Sequence, residues 1–312
     1  MEPLPSVSVI IAAAAAKNSL PTALDALESQ DYPGPIEVVV ATGDLPTSRA
    51  ADGHDVVIVN NPSGHTPAGL NLAAKASSGE ILVRVDAHSS IPPDYIRRLV
   101  EALRVTKADN VGGRQVPIGT TFIEKAIAAA MSSRFGAGDA RYRIGGEPGP
   151  ADTVYLGAFP RSVFDRVGGY DERFVRNQDY ELNHRIRESG GIVWFDPDIA
   201  VGYRPRASIA ALGRQYFQYG RWKRLFARTH RSLRPRQWAP PLLVIALGAS
   251  LVGSIWWSWL LALPILYVLE LVAIGLAALP RVGSPAILMP LALAVMHISW
   301  GVGFLLGQRS DR

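Results

Sequence analysis

The chain has 312 residues, enough for one large domain or two small ones, and at 48% hydrophobic against 19% charged it is too apolar to be soluble throughout. It contains no cysteine, which excludes disulfides and thiolate-held metals. The net charge of +5 is modest, and what matters is its clustering just before an apolar stretch that begins after Trp238.

The opening segment, MEPLPSVSVIIAAAAAKNS, lacks the basic flank and small-residue cleavage site of a signal peptide, so the first two thirds are expected to stay in the cytoplasm. Residues 7–11 form a short continuous apolar strand. Leu20, Leu24 and Leu27 then recur at helical spacing, and Pro33-Gly34 punctuates the end. IEVVVA (36–41) is a second buried strand, and DVVIVNNP (55–62) is a third, stopped by Asn-Pro. PAGLNLAAKASSGE is a helix of small residues, with Gly79 suited to cap its C-terminus. ILVRVD is a fourth strand, and Ile96, Leu99, Val100 and Leu103 mark an amphipathic helix from Tyr95. Strands alternating with helices imply right-handed crossovers and a mostly parallel sheet covered on both faces.

After Gly112 the pattern changes. TFIEKAIAAAMSSRF is helical, whereas residues 136–153 are glycine-rich and too irregular for core. A loop of that length inside a compact domain is usually functional or mobile. A strand (TVYLGAF), a helix (RSVFDRVGG), a helix over 179–189 closed by Gly190-Gly191, and an extended stretch (IVWFDPDIAVGYR) follow.

Residues 206–237 mix aromatics with Arg221, Lys223, Arg224, Arg228, Arg231, Arg234 and Arg236. Such a zone suits nucleic acid or an anionic membrane surface. The adjoining apolar runs favour the membrane, with the preceding domain on its cytoplasmic side. From Ala239 a run of about forty residues carries one charge, Glu270, which is the length of two spans of about 20 residues each. Trp256, Trp257 and Trp259 sit mid-run, where an interfacial belt would divide it. SPAILMPLALAVMHISWGVGFLLG is a third apolar run, with His297 its only titratable group. Runs without an amphipathic face are not the surface helices of a soluble protein. Three spans would put the terminal QRSDR outside, against its two arginines, so the pattern leaves two or three spans open.

Two phosphate signatures are absent. No GxGxxG follows the first strand and no GxxxxGK[ST] occurs, which disfavours a dehydrogenase or a P-loop ATPase. Three constellations remain. Asp86 and His88 close the fourth strand, at the edge where open α/β sheets bind ligands. Residues two apart in an extended segment point the same way, so a carboxylate and an imidazole can share one cation. That pair suits Mn2+ and admits Mg2+, and the cation would neutralise a diphosphate leaving group. The plainer alternative is a strand-end Asp that caps the next turn. Asp179 begins a helix, where the dipole favours an ionised carboxylate; it can serve as general base toward a hydroxyl, or only as an N-cap. Gln218, Arg221 and Trp222 in QYGRW share one helix face, a pattern that an interfacial helix with a snorkelling Arg also produces.

VSVII, LNLAAKASSGEILVRVDAH, YLGAFPRSVFDRVGGYDERF, NQDYELN and QYGRW occur in that order. On these motifs the chain resembles the family 2 glycosyltransferases over residues 6–225. It looks most like the membrane-associated bacterial subgroup of succinoglycan-type exopolysaccharide enzymes. Those have Asp-Gly-His where this chain has Asp86-Ala87-His88, and Gln-Asp-x-Glu-Leu-Asn at residues 178–183. The resemblance implies an α/β GT-A fold, Rossmann-like with a mostly parallel sheet, over residues 1–205. Basic, aromatic interfacial helices (206–237) and transmembrane helices (238–307) would follow it. It implies that Asp86 and His88 take the place of the family's DxD motif, binding a divalent metal (Mn2+ or Mg2+) and the donor diphosphate. Asp179 falls on the catalytic base of an inverting transfer. Gln218, Arg221 and Trp222 match QxxRW, which in processive relatives helps hold the donor diphosphate and the acceptor sugar. Arg84 is a further candidate for the donor, the glycine-rich loop for donor and acceptor, and Gln178, Tyr155 and Gly157 for the acceptor side. The implied reaction moves a sugar from a nucleotide sugar, a UDP-sugar in the family pattern, to a lipid-linked acceptor of polyprenyl-diphosphate type. It would serve cell-surface or exopolysaccharide synthesis, in a multi-pass protein of the inner (plasma) membrane with a cytoplasmic catalytic domain and no nucleic-acid partner.

The chain departs from the family at the nucleotide edge. Relatives follow the first strand with a Pro-x-x-Asn-Glu type segment, and here that stretch is AAAAAKNS. An acidic residue that commonly reads the uracil is replaced by ATGD, in which Asp44 is the substitute. Alanine side chains cannot hydrogen-bond a base or ribose, although backbone groups can. The alanine run therefore motivates a second hypothesis: a donor-binding-impaired relative acting as a membrane scaffold or partner subunit.

Overall fold

The computed structural model describes residues 3–13, 20–43 and 56–307. Asp44 and most of the alanine-rich edge (14–19) lie outside the described residues. The chain divides into two compact units, Met1–Val116 with Ala140–Tyr203, and Pro117–Asp139 with Arg204–Arg312. Residues 117–139 thus cluster with the C-terminal part rather than with the sheet.

The first unit opens with β1 (Val7–Ala12), α1 (Leu20–Glu28), β2 (Ile36–Thr42), β3 (Val56–Asn60), α2 (Thr66–Ala76), β4 (Ile81–Arg84), α3 (Tyr95–Thr106) and β5 (Asn110–Pro117). The chain then leaves as α4 (Phe122–Ser132) and α5 (Arg134–Ala137). It returns with α6 (Arg141–Ile144), β6 (Gly149–Pro150), β7 (Tyr155–Pro160), α7 (Arg161–Arg166), α8 (Gln178–Glu188) and β8 (Val193–Tyr203). The eight strands form one sheet in the order β3-β2-β1-β4-β7-β5-β8-β6. β3, β2, β1 and β4 run parallel, whereas β7 is antiparallel to both β4 and β5. The C-terminal ends of β4 and β5 therefore lie at the same sheet edge.

Side-chain alternation distributes each strand between two cores. Val9, Val38 and Val83 pack under Leu27 of α1 and Ile96 and Leu99 of α3. Ile10, Val39 and Leu82 pack under Leu70 of α2, Phe164 of α7, and Leu182 and Ile186 of α8. Burial on both faces accounts for the unbroken apolar runs in β1 and β2.

Several local expectations are corrected. β5 (NVGGRQVP) has poor strand propensity, yet it pairs because its glycines admit close neighbours. A Cβ on Gly113 would overlap the Ile199 carbonyl of β8. Gly79 does not cap α2, whose C-cap is Ser77. Its N–H instead donates to Ser8 Oγ at 2.7 Å and Glu37 Oε1 at 2.9 Å, and a side chain there would overlap β1. The glycine-rich stretch expected as plain loop contains α5, α6 and β6.

The second unit is helical: α4, α5, α9 (Ile209–His230), α10 (Ala239–Gly253), α11 (Ala262–Val282) and α12 (Met289–Leu306). α4 starts on a capping box, in which Thr121 Oγ1 accepts from Glu124 N–H at 3.2 Å and Glu124 Oε2 accepts from Thr121 N–H at 3.1 Å. α9 lies against α12, where Gly220 meets the Trp300 carbonyl and Gly303 meets that of Phe217. Two segments, Ser258–Val282 and Ser284–Leu306, are long and apolar enough to cross a membrane. α10, the first of the three apolar runs, has 15 residues and reaches only about 22 Å, short of a hydrocarbon core of about 30 Å. Trp256, Trp257 and Trp259 fall at the break between α10 and α11, all exposed.

The contact at Gly113 gives a direct stability test. Gly113→Ala forces β5 and β8 apart and should cost ~2 kcal/mol or more, measured as a fall in the thermal unfolding midpoint; an unchanged midpoint would contradict this packing.

Candidate active site

The central feature is a guanidinium buried at the end of a strand. Arg84 is the last residue of β4 and only 3% exposed. Period-two alternation brings Asp86 to the same side, where Asp86 Oδ1 accepts from Arg84 Nε at 3.0 Å and Nη2 at 2.8 Å. Arg84 Nη1 donates to Asp179 Oδ1, so one cation joins both carboxylates. Tyr170 completes the setting, with its ring centroid 5.9 Å from the guanidinium carbon. Burial acts to lower the Arg84 pKa, but the Asp86 charge and hydrogen bond, with Tyr170 and Tyr155, hold it raised, so the group stays cationic. Burial also pushes the Tyr170 phenol up to about 12, against the pull of Arg84, and pushes the Tyr155 phenol up. Both tyrosines are neutral donors at neutral pH.

Asp179 reaches this point because α8 is tied down along its buried side. Its first turn holds Asp179 and Glu181, the signs that favour the positive end of the helix dipole. Asn177, just before the helix, adopts a left-handed conformation (φ 62°), which Asn tolerates better than most residues. Glu181 is fully buried and accepts from Arg185 at 2.7 Å through each carboxylate oxygen. Arg185 in turn donates to the carbonyls of Val167 and Gly169, which lead into Tyr170. Asn71 of α2 grips Tyr170 from the other side, exchanging two 2.9 Å hydrogen bonds with its backbone. Asn183 is buried between Asn110 and Thr153. Glu181 and Asn183 lie within the NQDYELN motif without a role assigned there, and no motif points to Arg185 or Asn71 in this role. An i,i+4 Glu-Arg pair and a buried Asn on a polar helix were the available signals.

The remaining expected residues divide clearly. Asp86 does not continue the strand: Ser89 N–H donates to the Asp86 carbonyl at 2.9 Å, closing a turn over residues 86–89. The alternation expected for Asp86 and His88 therefore applies to Arg84 and Asp86 instead. His88 is exposed, edge-on to Tyr203. Tyr155 OH lies 3.4 Å from Ser89 Oγ. Gly157 is buried, with the place of a side chain taken by Asn110, and Gln178 is buried at the start of α8. Leu156 between the two acceptor-side candidates has φ 46°, an uncommon conformation for a branched apolar residue, and its carbonyl accepts from Tyr95 OH at 3.0 Å. Gln218, Arg221 and Trp222 belong to the second unit, on α9. There Gln218 is exposed, Trp222 is buried, and Arg221 Nε donates to the Gly307 carbonyl at 3.0 Å.

Among the described residues no group of three or more His, Asp or Glu forms a metal cage. The donors at the end of β4 are one carboxylate and one imidazole. A hard octahedral cation commonly takes one or two protein ligands and completes its shell with substrate phosphates and water. Asp86 and His88 fit that use and not a self-contained metal site.

Removing the guanidinium tests the clasp. Arg84→Gln leaves two carboxylates facing each other, and because both are partly solvated the loss should be about 2 kcal/mol. Arg84→Lys should recover only part, since an ammonium cannot fork between two carboxylates. Thermal unfolding of both variants reads this out, and equal midpoints for Arg84→Lys and wild type would contradict the bidentate role.

Comparison with known proteins identifies the family and the fold. Residues 8–168 match the family model described as Glycosyl transferase family 2. The chain is 32% identical over 270 residues to the succinoglycan biosynthesis protein ExoA of Rhizobium meliloti (strain 1021), covering 84% of this chain and 81% of that one. It is 22% identical over 180 residues, 56% of each chain, to a dolichyl N-acetyl-alpha-D-glucosaminyl phosphate 3-beta-D-2,3-diacetamido-2,3-dideoxy-beta-D-glucuronosyltransferase of Methanococcus voltae. Among solved structures, the mannosyltransferase PcManGT from Pyrobaculum calidifontis, in complex with GDP-Man and Mn2+, superposes with a TM-score of 0.59 at 19% identity. That match covers 95% of this chain and 87% of the other, and shows a shared fold. The mixed sheet with its antiparallel β7, the motif order and these likenesses agree: the chain belongs to the family 2 glycosyltransferases, in the succinoglycan-type subgroup and with a GT-A fold.

Proposed function

We propose that this glycosyltransferase moves a sugar, with inversion, from a nucleotide-sugar donor to a lipid-linked acceptor at a membrane surface. The observation that carries the proposal is the Arg84 clasp, which joins the donor-side Asp86 and the base candidate Asp179 at the C-terminal edge of the sheet. Asp179 pairs with Arg84 through one carboxylate oxygen and is about one third exposed, so its other oxygen is open to an acceptor hydroxyl. An acceptor hydroxyl positioned there attacks the anomeric carbon opposite the diphosphate. The bond from that carbon to the donor oxygen breaks, the nucleoside diphosphate leaves with the electron pair, and Asp179 takes the hydroxyl proton. Arg84, fixed and cationic, offers charge to the departing diphosphate. Asp86 and His88 would hold a divalent cation, Mn2+ or Mg2+, whose chemistry is neutralisation of the diphosphate.

Support for the acceptor class comes from the Methanococcus voltae relative, whose name specifies a dolichyl-phosphate-linked sugar, and from the two apolar helices of the second unit. On this proposal those helices cross the inner membrane, and two crossings return the chain to the side it left, with the catalytic unit cytoplasmic. Gln218, Arg221 and Trp222 stand as donor- and acceptor-holding candidates, and Gln178, Tyr155 and Gly157 as acceptor-side candidates.

Incorporation of radiolabelled sugar from a panel of nucleotide sugars into a lipid extract tests the reaction. Asp179→Asn should lower turnover about 10²- to 10⁴-fold with an unchanged unfolding midpoint, and retained full activity would remove Asp179 as the base. His88→Ala should weaken Mn2+-dependent donor binding about tenfold. Unaltered metal dependence in a titration of that variant would mean that Asp86 serves without the imidazole. No donor binding by the wild-type chain would favour the scaffold alternative.

A further inference from the structure

Away from the clasp, the first unit holds a pair of arginines that no carboxylate neutralises. The side chain of Arg114, on β5, makes no hydrogen bond or ion pair among the described residues, and its Nε is buried without a partner. The side chain of Arg141, at the start of α6, makes a single hydrogen bond among the described residues, from Nη1 to the Pro150 carbonyl at 3.1 Å. Both guanidinium groups rest on glycine. A Cβ on Gly145 would sit 3.5 Å from Arg114 Nη1, and one on Gly149 3.6 Å from Arg141 Nη1. Gly145, Gly146 and Gly149 all have positive φ (80°, 134° and 149°), so glycine is needed to shape this turn, and no side chain screens the two cations. Arg143 adds a second arginine to the same short helix, and Glu147 is the exposed acid between Gly145 and Gly149.

The placement connects this pair with the clasp. β5 is separated from β4 by β7 alone, two strand spacings or about 10 Å, and the two strands end at the same sheet edge. Leu82, two residues before Arg84, packs in the same core face as the helix residues Leu182 and Ile186, and Tyr142 of α6 packs against that face too. Tyr142, next to Arg141, and α8, whose first turn carries Asp179, therefore pack over one face of the sheet. A buried guanidinium nitrogen without a partner, as Arg114 Nε is, is costly unless a ligand or water completes it.

We propose that Arg114 and Arg141, cradled by Gly145 and Gly149, form a second anion site. It would take the phosphate or diphosphate that joins lipid to sugar in the acceptor, with the acceptor sugar lying between this site and Asp179. The inference rests on the lipid-linked acceptor of the proposed function, and it adds residues and a binding mode to it. Planar guanidinium forks suit phosphate oxygens, and the backbone of a glycine turn allows close approach.

The test uses the full chain in zwitterionic nanodiscs with a fluorescent short-chain prenyl diphosphate as probe and divalent cations chelated. Wild-type protein should bind the probe, and Arg114→Gln with Arg141→Gln together should weaken it tenfold or more. The Arg→Lys pair should retain part of the affinity as point charges. UDP binding with Mn2+ present should stay within about twofold in all variants, because the donor diphosphate uses the other site. Three results would overturn the site: no probe binding by wild type, undiminished binding in the Gln pair, or parallel loss of UDP binding. If the Gln pair fails to fold, Arg141→Gln alone decides, since that side chain is partly exposed and supports only one loop carbonyl. A chain that binds the probe through these arginines but transfers no sugar would sink the proposed function and leave this site standing. Sugar transfer with normal probe binding in the Arg variants would do the reverse.

Discussion

A cation at the end of a central strand sets the terms for the rest of the catalytic unit. Arg84 is surrounded by core, and a desolvated guanidinium without counter-charge would cost several kcal/mol. Two carboxylates answer it, one from the same strand and one from a helix that lies 95 residues further along the chain. Asp86 comes without additional constraint, because alternation already places it beside Arg84. Asp179 requires that α8 be held in one place, and much of the polar core serves that end. The Glu181–Arg185 fork, the carbonyls it grips, the Asn71–Tyr170 exchange and the Asn110–Asn183–Thr153 chain all fix α8 and the loop before it.

This arrangement also gives the site its electrostatic character. One buried arginine between two acids leaves the clasp with a net negative charge. The neighbouring phenols remain neutral because burial raises them, so they contribute dipoles rather than charge. Arg114 on β5 and Arg141 on α6 stand apart from this pair, and no carboxylate among the described residues pairs with either.

In the helical unit a different constraint operates. α9 and α12 approach so closely that glycine is required on both, at Gly220 and Gly303, and this contact buries one side of the last apolar helix. α11 leaves most of its surface apolar and uncovered, as a lipid-facing helix does. The 15 residues of α10 are too few to do the same, which is a matter of rise per residue and not of composition.

Much of this was legible in the chain. Apolar runs four to six residues long, separated by helical spacing and Gly-Pro punctuation, determined the α/β class and β1 to β4, because strands buried on both faces must be apolar throughout. The order of five motifs determined the family. The tail of apolar runs after a basic, aromatic stretch marked out the helical C-terminal part, in which two segments are long and apolar enough to cross a membrane. Sequence alone could not place β5, since NVGGRQVP looks like a turn and becomes a strand only because β7 and β8 flank it. Nor could it show that Arg84 pairs with Asp86, or that a local turn after Asp86 interrupts the extended backbone before His88. It left Arg114 and Arg141 as two arginines 27 positions apart in a polar stretch, since nothing local signals a shared site. Those decisions belong to tertiary structure for one physical reason. Pairing, desolvation and close approach depend on which distant segments meet, and periodicity reports only on neighbours along the chain.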